Sequence, residues 1–98
     1  MERFFMEIIR KIEENVCSYY NVNVAELMGS SKTKNVINAK YLVWFLLYNN
    51  LNLSANNIAK EYKRSIRDVR YAIAKTKFLI EKDKEFCESY IYLLNKTT

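Results

Sequence analysis

The sequence contains no proline and a single glycine, Gly29. Tight turns and hairpins lean on those two residues, so a turn-rich β fold is disfavoured and helices with short polar connections are expected. Ninety-eight residues, half of them hydrophobic, suffice for one domain (1–98) around one modest core. The expected fold class is therefore all-α, a single-domain bundle of five to six helices.

The stretch from Ser54 to Ile80, SANNIAKEYKRSIRDVRYAIAKTKFLI, reads as two helices joined by a short polar turn. Ser54 caps the first, whose buried side is Ile58, Ala59 and Tyr62. Lys63 and Arg64 form the turn. Ser65 opens the second helix with Asp68 three residues on, the spacing of a capping box. Ile66, Val69, Ile73, Thr76 and Ile80 then recur at alternating three- and four-residue steps and share one face. Ile58, Tyr62, Val69 and Ala72 fall where a helix-turn-helix needs its internal contacts, and small Ala59 allows a close crossing. Opposite the core stripe lie Arg67, Tyr71 and Ala74, flanked by Arg70 and Lys75. Arginine binds guanine edges or phosphates and tyrosine donates to phosphate, so this surface suits DNA. Phe78 falls on the same side, and another part of the chain, the last helix, is expected to cover it.

Charge points the same way. The net charge is +5, and it is uneven: residues 1–28 hold three basic and five acidic side chains, 29–82 hold eleven and three, 83–98 hold two and three. The excess surrounds the helix pair, which implies an anionic partner.

Three further elements complete the bundle. The first helix spans about Arg3 to Tyr20, with Phe4, Phe5, Ile8, Ile9, Ile12, Val16 and Tyr20 inward and Glu2, Glu7, Arg10, Lys11 and Glu14 facing water. After a break at Asn21, Asn23 caps a short helix near Val24–Met28, which Gly29 ends. The polar run SSKTK follows, read either as a solvated connection or as an arm lying on a phosphate backbone. Roughly Asn35 to Asn49 contains LVWFLLY, apolar nearly all round, and is expected to be the central buried helix with Trp44 in the core. Asp83 caps a last helix, Lys84 to about Asn95, with Phe86, Tyr90, Leu93 and Leu94 inward.

Catalytic chemistry finds no support. There is no histidine, no paired-carboxylate constellation and no CxxC, so neither an enzyme, a metal site nor a cofactor is expected. Cys17 and Cys87 are expected to be buried, reduced thiols of a cytoplasmic protein. The apolar runs are too short to span a bilayer.

The order IEENVCSYYNVNVAELMGSSKTKNVINAKYLVWFLL…LSANNIAKEYKRSIRDVRYAIAKTK resembles the C-terminal DNA-binding domain of the bacterial replication initiator DnaA, whose fold is related to the tryptophan repressor. The resemblance covers about Ile12 to Lys82. It rests on the V-x-x-Y-Y-x-V-x-x-x-x-L opening (Val16, Tyr19, Tyr20, Val22, Leu27), a basic loop, the apolar helix, and L-S-x-x-x-I-A-x-x-Y. It implies double-stranded DNA as partner. The sequence departs where that family reads DNA. Gly-Arg-Asp-His, a small residue, Thr and Val are replaced by Lys63, Arg64, Ser65, Ile66, Arg67, Asp68 and Val69, which retain only the arginine and the valine. The arginine-rich loop becomes Lys32, Lys34 and Lys40, with Asn38 where the minor-groove arginine would fall. The departures imply different DNA, or little sequence preference. The family's ATPase module has no counterpart, since G-x-x-x-x-G-K-[ST] needs two glycines. The chain is expected to be a stand-alone reading head of a kind that phages and other mobile elements carry.

Two readings remain. In the first, the chain is a duplex-DNA-binding regulator or replication accessory that uses the helix-turn-helix (54–82) and a basic loop (30–40). Its DNA contacts would be Lys32, Lys34, Lys40, Lys63, Arg64, Ser65, Arg67, Arg70, Tyr71 and Lys75. In the second, it is a protein-interaction module or inhibitor, binding a replication or regulatory protein, that kept the fold and lost specific reading. A continuous positive face joining the loop to Arg64, Arg67 and Arg70 favours the first.

Overall fold

The computed structural model describes residues 2–97, with side chains from Phe5 onward; the inward Phe4 and outward Glu2 side chains expected from the pattern lie outside the described residues. The architecture is all-α. In chain order it comprises α1 (Glu2–Tyr20), a 3-10 turn (Val24–Met28), α2 (Lys34–Asn50), α3 (Ala55–Tyr62), α4 (Ile66–Lys82) and α5 (Lys84–Thr97).

The centre is α2. Every residue from Leu42 to Leu47 is buried, with Leu42, Val43, Leu46 and Leu47 fully so and Trp44 4% exposed. A helix with no wet face there must be wrapped on all sides, and α1, α3, α4 and the 3-10 turn pack on it. From α1 it receives Ile9, Ile12 and Val16, with Phe5, Ile8 and Tyr20 half-buried at the edges. Tyr62 of α3 stacks obliquely on Trp44, ring centroids 5.9 Å apart, and its hydroxyl donates to Glu13 of α1. That bond ties the first helix to the helix pair. Phe45 meets Tyr90 of α5 edge-on at 5.6 Å, and the Tyr19 and Ser89 hydroxyls, 2.9 Å apart, join α1 to α5.

Helix ends follow local chemistry. Ser54 Oγ accepts from Asn57 N–H, Ser65 Oγ from Asp68 N–H, and Asp83 Oδ1 from Phe86 N–H, each at 3.1 Å. At the 3-10 turn Glu26 Oε1 accepts from Asn23 N–H at 2.9 Å. Two helices stop in the same way. Asn21 (φ 57°) and Lys63 (φ 54°) adopt the left-handed conformation, and the next amides, of Val22 and Arg64, reach back to the carbonyls of Cys17 and Ala59 at 2.9 Å. This is the Schellman stop, normally made with glycine or asparagine.

Three expectations are corrected. Phe78 is 53% exposed; α5 folds back beside Leu79, not over Phe78, and the Lys75 ammonium lies above its ring, 5.4 Å from the centroid. Cys87 is half-buried, whereas Cys17 is buried; both are free thiols. The connection after Gly29 is shorter than 30–40, because α2 begins at Lys34.

Replacing Leu46 with Ala should cost about 2–5 kcal/mol in urea unfolding, as truncation of a fully buried leucine. Phe78→Ala should stay within about 1 kcal/mol of wild type, since only exposed contacts are lost. Burial, helped by nearby Glu13 and Glu26, pushes the Cys17 thiol up to about 11. At mildly alkaline pH a thiol reagent should therefore label Cys87 first and Cys17 only on unfolding, read by mass spectrometry.

Candidate nucleic-acid interface

The turn between α3 and α4 sets the geometry of the basic surface. Because Lys63 takes the left-handed conformation, the chain reverses in two residues, and Ser65 starts α4 with its Oγ accepting from the Asp68 amide. Val69, Ala72, Ile73 and Thr76 then face the core, and Thr76 Oγ1 satisfies itself on the Ala72 carbonyl at 2.7 Å. The opposite side of the helix is a ridge. Arg67, Arg70, Tyr71, Ala74, Lys77 and Phe78 are all exposed along it, with Tyr71 61% accessible. Small Ala74 lies between the long side chains, so a bound surface can come close to the helix axis there.

A cleft runs along each flank of this ridge. On one side, between residues 30–32, α2 and α4, a cleft of about 260 Å³ is lined by Lys32, Lys40, Arg64, Asp68 and Tyr71 among others. On the other, between the end of α2, the start of α3 and α4, a cleft of about 470 Å³ is lined by Tyr48, Ser54, Arg70, Ala74 and Lys77 among others. Cations therefore stand on both sides of a protruding helix.

The residues singled out from the sequence do not all belong to this surface. Lys32, Lys40, Arg64 and Tyr71 share the first cleft, Arg70 lines the second, and Arg67 stands on the ridge. Lys63 and Ser65 occupy the turn, both exposed. Lys40 is only 8% exposed, and its ammonium donates to the Gly29 carbonyl at 2.5 Å; burial and then the neighbouring Arg64 charge lower its pKa. Arg64 donates to the same carbonyl. Lys34 opens α2 and lines a different cleft, with Tyr19, Asp83 and Glu85. Lys75 is half-buried against Phe78. Lys77, Tyr48 and Ser54 line the second cleft and are not among the residues expected from the sequence. Lys77 was within reach of the sequence, since it follows Arg70 and Ala74 at helical steps of seven and three; the second cleft was not, because it depends on how α2 meets α3.

Residues 9–76 match the bacterial DnaA protein helix-turn-helix family. The chain belongs to that family. It is similar to the chromosomal replication initiator protein DnaA of Thermoanaerobacter sp. (strain X514), 26% identical over 76 residues, covering 78% of this chain and 17% of that protein. The initiator of Mycoplasma capricolum subsp. capricolum is 27% identical over 89 residues, covering 90% of this chain and 20% of that protein. The chain thus spans about a fifth of the length of these relatives. Against the DnaA pattern, the turn glycine has become the left-handed Lys63. The position of the family's histidine is Ile66, which packs against the core, and the aspartate has become the Ser65 cap. Two positions that resemble DNA-reading sites now serve the fold.

A lysine in the left-handed conformation is strained where glycine is not. Lys63→Gly should therefore raise stability by up to about 1 kcal/mol in chemical denaturation. A loss of stability would contradict this account of the turn.

Proposed function

We propose that this chain is a duplex-DNA-binding module that lays α4 in the major groove and seats a phosphate strand in the cleft on either side. The observation that carries the reading is the exposed ridge with cations along both flanks. A protruding helix fits a groove about 12 Å wide, and the strands bordering that groove then meet basic clefts. The uneven charge favours the same face: Asp68, Glu61 and Glu81 are the only acids among residues 29–82. Membership of a DnaA helix-turn-helix family adds its weight.

Sequence preference is expected to be low. Ile66 and Ser65, where the family's base-contacting pair would fall, are spent on packing and capping. Base contact is left to Arg67, Arg70 and Tyr71, all long and exposed. Phosphates dominate such an interface, and phosphate contacts carry no sequence information. We assign this module a regulatory or accessory role in replication, in keeping with its membership of a DnaA helix-turn-helix family.

Polarisation with a labelled random duplex, over a range of salt concentrations, tests the reading. Lys32→Ala should weaken binding about equally for all sequences and flatten the log–log salt slope by about 0.9. Lys34→Ala, in the cleft with Asp83 and Glu85, should change the slope less. Arg67→Ala should cost about 1–3 kcal/mol and shift preference among sequences where it reaches a base. If a combined Arg67, Arg70 and Lys77 alanine variant binds duplex as well as wild type at low salt, α4 is not the DNA-binding element.

A further inference from the structure

The cleft beside residues 30–32 is built unlike an ordinary basic surface. Trp44 lines it. Its indole N–H is buried and has no hydrogen-bond partner among the described residues, and the residue as a whole is 4% exposed. Buried donors are almost always paired, so an orphan in a native core points to a missing acceptor. Two nearby cations share one acceptor. The Lys40 ammonium and the Arg64 guanidinium converge on one neutral oxygen, the Gly29 carbonyl. That oxygen has one lone pair for each, and each cation keeps further N–H groups to donate. Burying an ammonium beside a guanidinium is unfavourable unless an anion joins them. Around the cleft, Lys32, Lys40 and Arg64 stand against a single carboxylate, Asp68, and Ser30 and Ser31 add hydroxyl groups. The volume of about 260 Å³ is several times the ~30 Å³ share of one water, room enough for a tetrahedral oxyanion.

We infer that this cleft binds one phosphate group, held by the Lys40 ammonium, the Arg64 guanidinium and the Trp44 indole N–H. The phosphate would share the cations with the Gly29 carbonyl, and Lys32 would close over it from the rim. Arginine and lysine together suit this ligand, the first as a planar fork and the second as a point charge. The shared chemistry is that of a phosphate oxyanion. Its source as a diester of the DNA backbone rests on the function proposed above; a site for free phosphate does not. In the DNA-bound arrangement the pocket would fix the register of α4 on one strand without reading a base.

The chain has one tryptophan, so its indole N–H gives a single, assigned signal in a ¹⁵N–¹H correlation spectrum. The protein would be titrated with inorganic phosphate, with chloride at matched ionic strength, and with a short random duplex. The inference predicts a saturable shift of the indole signal with phosphate, none of comparable size with chloride, and the same direction of shift with duplex. In Lys40→Gln and in Arg64→Gln, each checked for helicity, phosphate affinity should fall about tenfold or more. A chloride response equal to that of phosphate would overturn the site. So would an indole signal that stays still while duplex binds elsewhere, and the DNA-binding reading would then survive alone. A phosphate response without duplex binding would keep the site, supplied by free phosphate, and remove the DNA-binding reading. The wild-type titrations decide between these outcomes even if a variant fails to fold.

Discussion

Burial of α2 on every side is the constraint on which the rest depends. Leu42, Val43, Leu46 and Leu47 are inaccessible, and Trp44 and Phe45 nearly so. Transferring a run of such side chains out of water contributes roughly 1.5–3 kcal/mol each, and no single partner helix can cover them all. α1, α3 and α4 must therefore lie around α2 together. This fixes the crossing of the helix pair. Tyr62 lies against Trp44, Val69 and Ala72 point inward, and the outer side of α4 becomes a ridge because its inner side is needed by the core.

The candidate surface is a by-product of that arrangement in a specific sense. The side chains that the bundle has no use for on α4 are Arg67, Arg70, Tyr71 and Lys77, and the packing of α2 against its neighbours opens a cleft on each side of them. Stability and function compete at a few positions. Lys40 and the Trp44 indole are buried polar groups with incomplete partners, a cost that a core built for stability alone would avoid. Conversely, Ile66 and Ser65 are given over to packing and capping, which strengthens the helix pair.

Much of this was legible in the sequence because it depends on near neighbours in the chain. The stops at Asn21 and Lys63, the caps at Ser54, Ser65 and Asp83, and the stripes of α1 and α4 follow from spacing and local hydrogen bonding. The central place of LVWFLLY followed from its lack of a polar face. What was not legible depends on distant segments. Phe78 looked too apolar to be exposed, but α5 turns back on the Leu79 side, and no local pattern specifies that direction. Lys40 reads as one more loop cation until the Gly29 carbonyl and Arg64 are brought beside it. Lys34 and Lys32 are two residues apart, yet the start of α2 sends them into different clefts.

Acetylation of lysines with and without duplex DNA, followed by mass spectrometry, tests the central claim most directly, because lysines occur on every side of the bundle. Lys32, Lys63 and Lys77 border the ridge and its clefts, whereas Lys11 and Lys96 line a separate cleft between α1 and α5, and Lys84 is exposed at the start of α5. Duplex should slow modification of Lys32, Lys63 and Lys77 and leave Lys11, Lys84 and Lys96 unchanged, with the protection fading as salt is raised. Protection centred on Lys11, Lys84 and Lys96, or spread evenly over both groups, would contradict the placement of the interface on α4.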